Sequence, residues 1–337
     1  ARRARGDPAR DEAAAAASTE AALRVLVNQS SDVADERPVV ACRFSPSGAQ
    51  LATGSWSGAV KVWSAPACHK LLTISAHAER VTDVAWHPEA SAPGRACAAL
   101  ALASGSADTT ARLWGADGRL LRELCGHTDR LGRIAFHPAG RHLATASFDL
   151  TWRLWDVETG ACLAEQEGHS RAVYAVAFQR DGSLAASAGL DAFGRIWDVR
   201  TGRSIMVLEG HVKGVLALDF SPNGFHVATG ALDNSARVFD LRRRGPLAVL
   251  PGHTALVSQV RFEPDAGAYL LTAGYDSSVK LWCGRRLRLT RALVGHEGKI
   301  MGADVAPGGG CTLATSGYDR TLKLYSPDAA PASLADE

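Results

Sequence analysis

The chain lacks most of the features that would assign it a chemistry directly. Its seven cysteines (Cys42, Cys68, Cys97, Cys125, Cys162, Cys283 and Cys311) are odd in number, scattered, and include no CxxC pair. A disulfide framework and a zinc site are therefore not expected, and the thiols are read as reduced and structural. Excess charge is almost absent, with 37 Lys+Arg against 35 Asp+Glu for a net +2. Any nucleic-acid contact must come from local basic patches. No apolar run approaches the roughly 20 residues that span a bilayer, and the opening ARRARGDPARDE has no apolar segment that could serve as a signal peptide. These absences lead to the expectation of a soluble intracellular protein with no membrane partner. No metal constellation, Gly-rich phosphate loop or unique nucleophile stands out, so neither a cofactor nor a small-molecule substrate is expected.

What is present is repetition. Gly-His pairs fall at 126/127, 168/169, 210/211, 252/253 and 295/296, at steps of 42, 42, 42 and 43, with Ala76-His77 as a relative before them. A second column closes each unit: Trp63, Trp114, Trp155, Trp197, Phe239, Trp282 and Tyr325, in endings such as RLWD and RIWD. Seven units result. The extra length between Trp63 and Trp114 lies in PEASAPGRACAALA, 88–101, whose Pro, Gly and small residues mark a loop insertion. Within each unit, short runs rich in Val, Ile, Leu and aromatics alternate with turn signals such as SPSG, HPAG, RDG and SPNG, the pattern of four short antiparallel strands.

In these columns the chain resembles the WD-repeat family, and the resemblance implies an all-β, seven-bladed propeller over 21–326. The physics agrees, because one twisted four-stranded sheet cannot bury both faces, whereas a ring buries each against its neighbours. No strand is expected after Tyr325, so ALRVLV, 22–27, is expected to supply the outer strand of the last blade and close the ring. Residues 1–20 are expected to form a helical or disordered remnant of a longer N-terminal region, and 327–337 a disordered tail.

Ten residues before each closing aromatic lies a hydroxyl, and six before it an acid in six of seven units. With the His of the preceding pair, Trp can bond hydroxyl, hydroxyl His, and His Asp. The WD-repeat family is known for such a tetrad. Complete sets are His77, Ser104, Asp108, Trp114; His127, Thr145, Asp149, Trp155; His169, Ser187, Asp191, Trp197; and His253, Thr272, Asp276, Trp282. Ser, His and Asp are also the parts of a hydrolase triad, but a constellation that recurs in blade after blade reads as structural. The first unit, GSWSGAVKVWS, lacks both His and acid.

If the strands of a blade are lettered a to d, the d-to-a connections and b-to-c turns share one end of the ring. The residue before the turn acid forms the column Trp56, Ala107, Phe148, Leu190, Leu232, Tyr275 and Tyr318. The d-to-a loops add Arg37, Arg80, Arg130, Arg171, Lys213 and Lys299, and Phe193 adds a further aromatic. Aromatic and cationic side chains near a surface are typical interface anchors, so this end is expected to bind protein; packing on neighbouring blades is the alternative for each side chain. The opposite face receives Arg242, Arg243, Arg244, Arg285, Arg286, Arg288 and Arg291 in c-to-d turns, a candidate RNA-phosphate patch with no interleaved aromatic.

A propeller alone says little about function. Trp197-Asp198-Val199-Arg200 matches the WDxR pattern of cullin-RING ubiquitin ligase substrate receptors, which is one alternative. The fuller resemblance comes from DERPVVACRFSPSGAQLATGSWSG, EGHSRAVYAVAFQRDGSLAASAGLDAFGRIWDVRTGRSIMVLEGH, SPNGFHVATG and GHEGKIMG, which together resemble the WD-repeat proteins of the spliceosomal U4/U6 small nuclear ribonucleoprotein. That resemblance implies a nuclear, non-catalytic subunit of the U4/U6.U5 tri-snRNP. Its implied partners are tri-snRNP proteins, including the partner protein of the U4/U6 particle, and U4/U6 snRNA directly or indirectly; in that family a longer N-terminal region preceding the propeller contributes to assembly with the partner protein and a cyclophilin.

Overall fold

The computed structural model describes residues 17–90 and 100–327. Expectations placed on 1–16, on 328–337, and on the insertion between 91 and 99 with its Cys97 lie outside the described residues. Among the described residues, 28 strands, β1 to β28 in chain order, form seven antiparallel four-stranded sheets. The inner strands are β2 (Val39–Phe44), β6 (Val81–Trp86), β10 (Leu131–Phe136), β14 (Val173–Phe178), β18 (Val215–Phe220), β22 (Val257–Phe262) and β26 (Ile300–Val305). Blade 1 continues through β3 (Gln50–Ser55), β4 (Ala59–Ser64) and β5 (Lys70–Ser75).

Apolar residues fill the gaps between blades. Ala217, Ala228 and Val238 of blade 5 pack with Val257, Val260, Leu270 and Trp282 of blade 6 in one buried cluster. The closing aromatics thus reach across to the preceding blade, which ties each sheet to its neighbour. Where β4 (Ala59–Ser64) meets its outer strand the register shifts at Trp63, and the same bulge recurs at Trp114, Trp155, Trp197, Phe239 and Trp282.

The ring is closed by the N-terminal strand, but in a different register from that expected. The outer strand of blade 7 is β1 (Leu26–Val33), LVNQSSDV, paired with β28 (Thr321–Pro327). The apolar segment 22–27 contributes only its last two residues to it, because 17–24 are helical. The physical reason is visible in burial: Leu23 and Leu26 plug the seam between blades 6 and 7 beside Tyr269, Leu293 and Tyr325. The strand proper can then be polar, since its outer face meets solvent. Even this strand keeps the bulge, between Asn28 and Ser30 opposite Tyr325 and Leu324.

Candidate functional site

Six blades carry the recurrent polar chain. In blade 4, Trp197 Nε1 donates to Ser187 Oγ at 2.8 Å, Ser187 meets His169 Nε2 at 2.7 Å, and His169 Nδ1 meets Asp191 at 3.0 Å. The sets around His77, His127 and His253 repeat this, with Trp114, Trp155 and Trp282 donating to Ser104, Thr145 and Thr272. Blades 5 and 7 keep His211 with Thr229 and Asp233, and His296 with Thr315 and Asp319, while Phe239 removes the indole donor and Tyr325 replaces it. Burial holds His77, His169, His211, His253 and His296 below the usual imidazole value, against the pull of their carboxylates. Burial alone would raise the carboxyls of Asp108, Asp149, Asp233, Asp276 and Asp319, but hydroxyl, imidazole and backbone donors outweigh it, leaving Asp108, Asp149, Asp276 and Asp319 low and Asp233 at about 2. The hydroxyls of Ser104, Thr145, Ser187, Thr229, Thr272 and Thr315 belong to residues with 0% exposure, so substrate cannot reach them. The arrangement is a structural staple joining the d-to-a loop to the b-to-c turn of each blade.

Blade 1 keeps Trp63 on Thr53 at 2.9 Å and fills the rest differently. Each His stands four residues before its inner strand, and in blade 1 that place, counted back from Val39, is Asp35. Asp35 is buried, accepts from Ser55 and Ser57 at 3.0 and 3.1 Å, and pairs with Lys61 at 2.9 Å. Burial would raise this carboxyl, but Lys61 and its other donors hold it below the ordinary value. The acid absent from the turn has therefore moved to the loop, with the turn's Ser57 now donating. Sequence reading of GSWSG missed Asp35 and Lys61; counting back from β2 would have found the acid. Gly58 is required here, because its φ is +82° and a Cβ would stand 2.2 Å from the His77 carbonyl oxygen of blade 2.

The backbone N–H groups of Trp56, Ala107, Phe148, Leu190, Leu232, Tyr275 and Tyr318 each donate to the carbonyl just before the inner strand of their blade, at 2.8–3.0 Å. This places the whole column on one end of the ring. Tyr318 is 50% exposed and Phe193 37%, whereas Trp56, Phe148, Leu190, Leu232 and Tyr275 are half-buried. Packing on neighbours explains the difference. Trp56 meets the Tyr318 ring edge-on at 5.8 Å across the ring closure, and Leu190 lies against Gly214 of the next blade. Arg80 covers Trp56 at 5.7 Å, Arg130 covers Phe148 at 3.9 Å, and Lys299 covers Tyr275 at 5.1 Å. Arg37, Arg171, Lys213 and Lys299 are exposed. Trp56, Arg80, Arg130, Phe148, Tyr174 and Tyr275 line one cavity of about 190 Å³ at the channel mouth, while Leu190, Leu232, Phe193, Arg171 and Lys213 lie outside its lining. Burial pushes the Tyr275 phenol up to about 12.

At the other end, Arg243, Arg244, Arg286 and Arg288 are exposed in or beside the c-to-d turns. Arg242 stacks 3.7 Å over Phe225 and pairs with Asp240 at 2.9 Å, and Arg291 donates to the Arg24 carbonyl. Arg285 is exposed in the turn after Trp282. In Trp197-Asp198-Val199-Arg200, Asp198 caps its own turn by accepting from the Arg200 and Thr201 N–H groups. Between the two ends the channel carries a charge lattice that sequence reading missed. Arg43 bridges Asp83 and Asp304, Arg261 bridges Asp219 and Asp304, and Arg133 pairs with Asp83 at 3.9 Å while donating to Ser258 O across the channel at 2.9 Å. Arg43, Asp219, Arg261 and Asp304 share the fifth position of their inner strands and Asp83 and Arg133 the third, but the sign of the charge changes from blade to blade and three blades hold Ala at the fifth position, so no column of one residue type marks them.

Seven sheets of this topology, stapled in this way, define a WD-repeat β-propeller. The WD40 model (WD domain, G-beta repeat) matches residues 30–64, 68–115, 118–156, 160–198, 202–240, 244–283 and 287–326, and the chain belongs to this family. From the second onward, each matched repeat takes in the outer strand of one blade and ends on the third strand of the next, so the first must lend its outer strand to the last blade. An uncharacterized WD repeat-containing protein of Schizosaccharomyces pombe is 45% identical over 119 residues, 35% of this chain and 26% of that protein. The U4/U6 small nuclear ribonucleoprotein PRP4 of Saccharomyces cerevisiae is 34% identical over 130 residues, 38% of this chain and 27% of that protein. The nuclear distribution protein nudF of Aspergillus niger is 30% identical over 160 residues, 44% of this chain and 35% of that protein. The matched stretches thus span about a quarter to a third of these relatives.

Proposed function

We propose that the chain is a nuclear, non-catalytic scaffold subunit of the U4/U6 and U4/U6.U5 small nuclear ribonucleoproteins, supporting pre-mRNA splicing by presenting a rigid ring to proteins and RNA backbone. The observation that carries this reading is the similarity to the U4/U6 small nuclear ribonucleoprotein PRP4, together with DAFGRIWDVRTGR and the acid-free SWSG, which are not generic to propellers. The end bearing Tyr318, Phe193 and the cation-capped rings is assigned to protein partners. The exposed arginines of the c-to-d turns are assigned to phosphates, since an A-form duplex hides its major-groove edges and offers backbone and sugar instead. Purification of the tagged protein from nuclear extract, with identification of bound RNAs and proteins, tests the reading. Enrichment of U4 and U6 RNAs is the expected result. Recovery of a cullin-RING adaptor without RNA would replace it with the ligase-receptor alternative.

A further inference from the structure

The aromatic rings at the channel mouth do not present open platforms. Phe148 has a guanidinium 3.9 Å above it, and Trp56 and Tyr275 carry Arg80 and Lys299 at 5.7 and 5.1 Å. A ring covered in this way cannot stack a base on that face; it acts as a pedestal that fixes a cation with its N–H edge free to bind. Arg80 and Arg130 line the same cavity, and no acid lines it. Among the described residues, neither guanidinium makes an ion pair or a hydrogen bond to another side chain.

A second observation lies deeper. Arg133 is 7% exposed and its Nε has no partner. Its one facing carboxylate, Asp83 at 3.9 Å, is shared with Arg43 at 3.4 Å. Burial draws the Arg133 pKa below its ordinary value, as expected of a guanidinium short of compensating charge. The axial lattice balances three arginines (Arg43, Arg133, Arg261) against three aspartates (Asp83, Asp219, Asp304), so the uncompensated positive charge is that of Arg80 and Arg130 in the mostly apolar-walled funnel of about 190 Å³ above it. Such a space admits a single side chain projecting from an extended segment or turn. A nucleic-acid duplex is convex and cannot insert its phosphates there.

We propose that this mouth receives the carboxylate of an Asp or Glu side chain from a protein segment docked across the b-to-c end, an inference that rests on the docking reading for its biological setting. Arg80 and Arg130 would each offer two N–H groups to the carboxylate, the strong planar form of such recognition. Their carbonyls, which hold Ala107 and Phe148, are backbone groups and survive side-chain substitution.

Fluorescence anisotropy of the purified full chain tests this, using fluorescein-labelled hexaglutamate, hexaglutamine and decauridylate. Variants are Arg80→Gln/Arg130→Gln and, from exposed positions at the c-to-d turns of blades 2 and 4 at the opposite end, the charge-matched control Arg119→Gln/Arg203→Gln; thermal unfolding confirms that both fold. Hexaglutamate should bind the parent, weaken about tenfold or more on the first pair, and be unchanged on the control, while hexaglutamine fails to bind. The proposal is overturned by absent hexaglutamate binding, by equal loss on both pairs, or by decauridylate alone responding to the mouth variant. The titration contains no particle component, so its failure leaves the co-purification of U4 and U6 RNAs standing, and failure of that co-purification leaves the titration standing.

Discussion

In blade 4 the loop before the inner strand brings His169 and the b-to-c turn brings Asp191, whereas in blade 1 the same two places hold Asp35 and Ser57. A cation column also runs round the ring: Lys61 of blade 1 reaches the Ala34 carbonyl just as Lys323 of blade 7 reaches that of Gly295. In blade 1 that cation pairs with the loop carboxylate itself, Asp35 at 2.9 Å, whereas Arg112 and Arg153 pair with Glu123 and Glu165 of their outer strands and Lys280 lies 4.0 Å from the turn acid Asp276. The fold therefore requires a polar closure between loop and turn, and not a particular order of residues. Loss of the turn acid in SWSG is accordingly compensated packing, and Trp56 is held between Tyr318 and Arg80 and is not projected into solvent.

The largest effect is expected from Asp35→Ala, which strands Lys61 and two seryl hydroxyls and should cost about 3 kcal/mol in urea unfolding. Asp191→Ala leaves His169 without its carboxylate and should cost roughly 1 to 3 kcal/mol; a midpoint equal to the parent's would show that the staple does not stabilise the blade.

Acid separates the two designs further. The five histidines with lowered values bind protons less readily in the fold than when unfolded, so their contribution is complete above about 6.5 and falls as pH drops through that value toward the folded one. The depressed carboxylates add a second loss below about 3.9. Melting temperature should fall between pH 7 and 5, and the Asp35→Ala curve should run parallel to the parent's there, because blade 1 holds no imidazole in its network. The smallest effect is expected from the exchange: Asp35→His combined with Ser57→Asp should recover stability relative to the two single changes, with a coupling of about 1 kcal/mol in a double-mutant cycle.

The seven blades were readable from two columns because each blade repeats the same inter-blade packing, so that His169, Ser187, Asp191 and Trp197 recur at fixed spacing. Closure was readable in kind but not in register. Leu23 and Leu26 are apolar because they plug a seam, and the strand that follows is polar because its outer face is wet. Arg43, Asp83, Arg133, Asp219, Arg261 and Asp304 meet only when the ring closes, and Arg133 reaches Ser258 over a separation of 125 residues. The capping of Trp56 and Tyr275 by Arg80 and Lys299, each from the next blade, is likewise a product of ring geometry, whereas Arg130 over Phe148 lies within one blade.

The claim that the b-to-c end docks the chain into the particle is tested most directly by purifying a tagged Arg37→Glu/Tyr318→Ala/Lys299→Glu variant from nuclear extract and quantifying U4 and U6 RNAs. These side chains are exposed, so the ring should unfold within a few degrees of the parent. Enrichment of both RNAs by the parent and its loss in the variant is the predicted result; equal enrichment by the two would contradict the assignment of this end as the docking face.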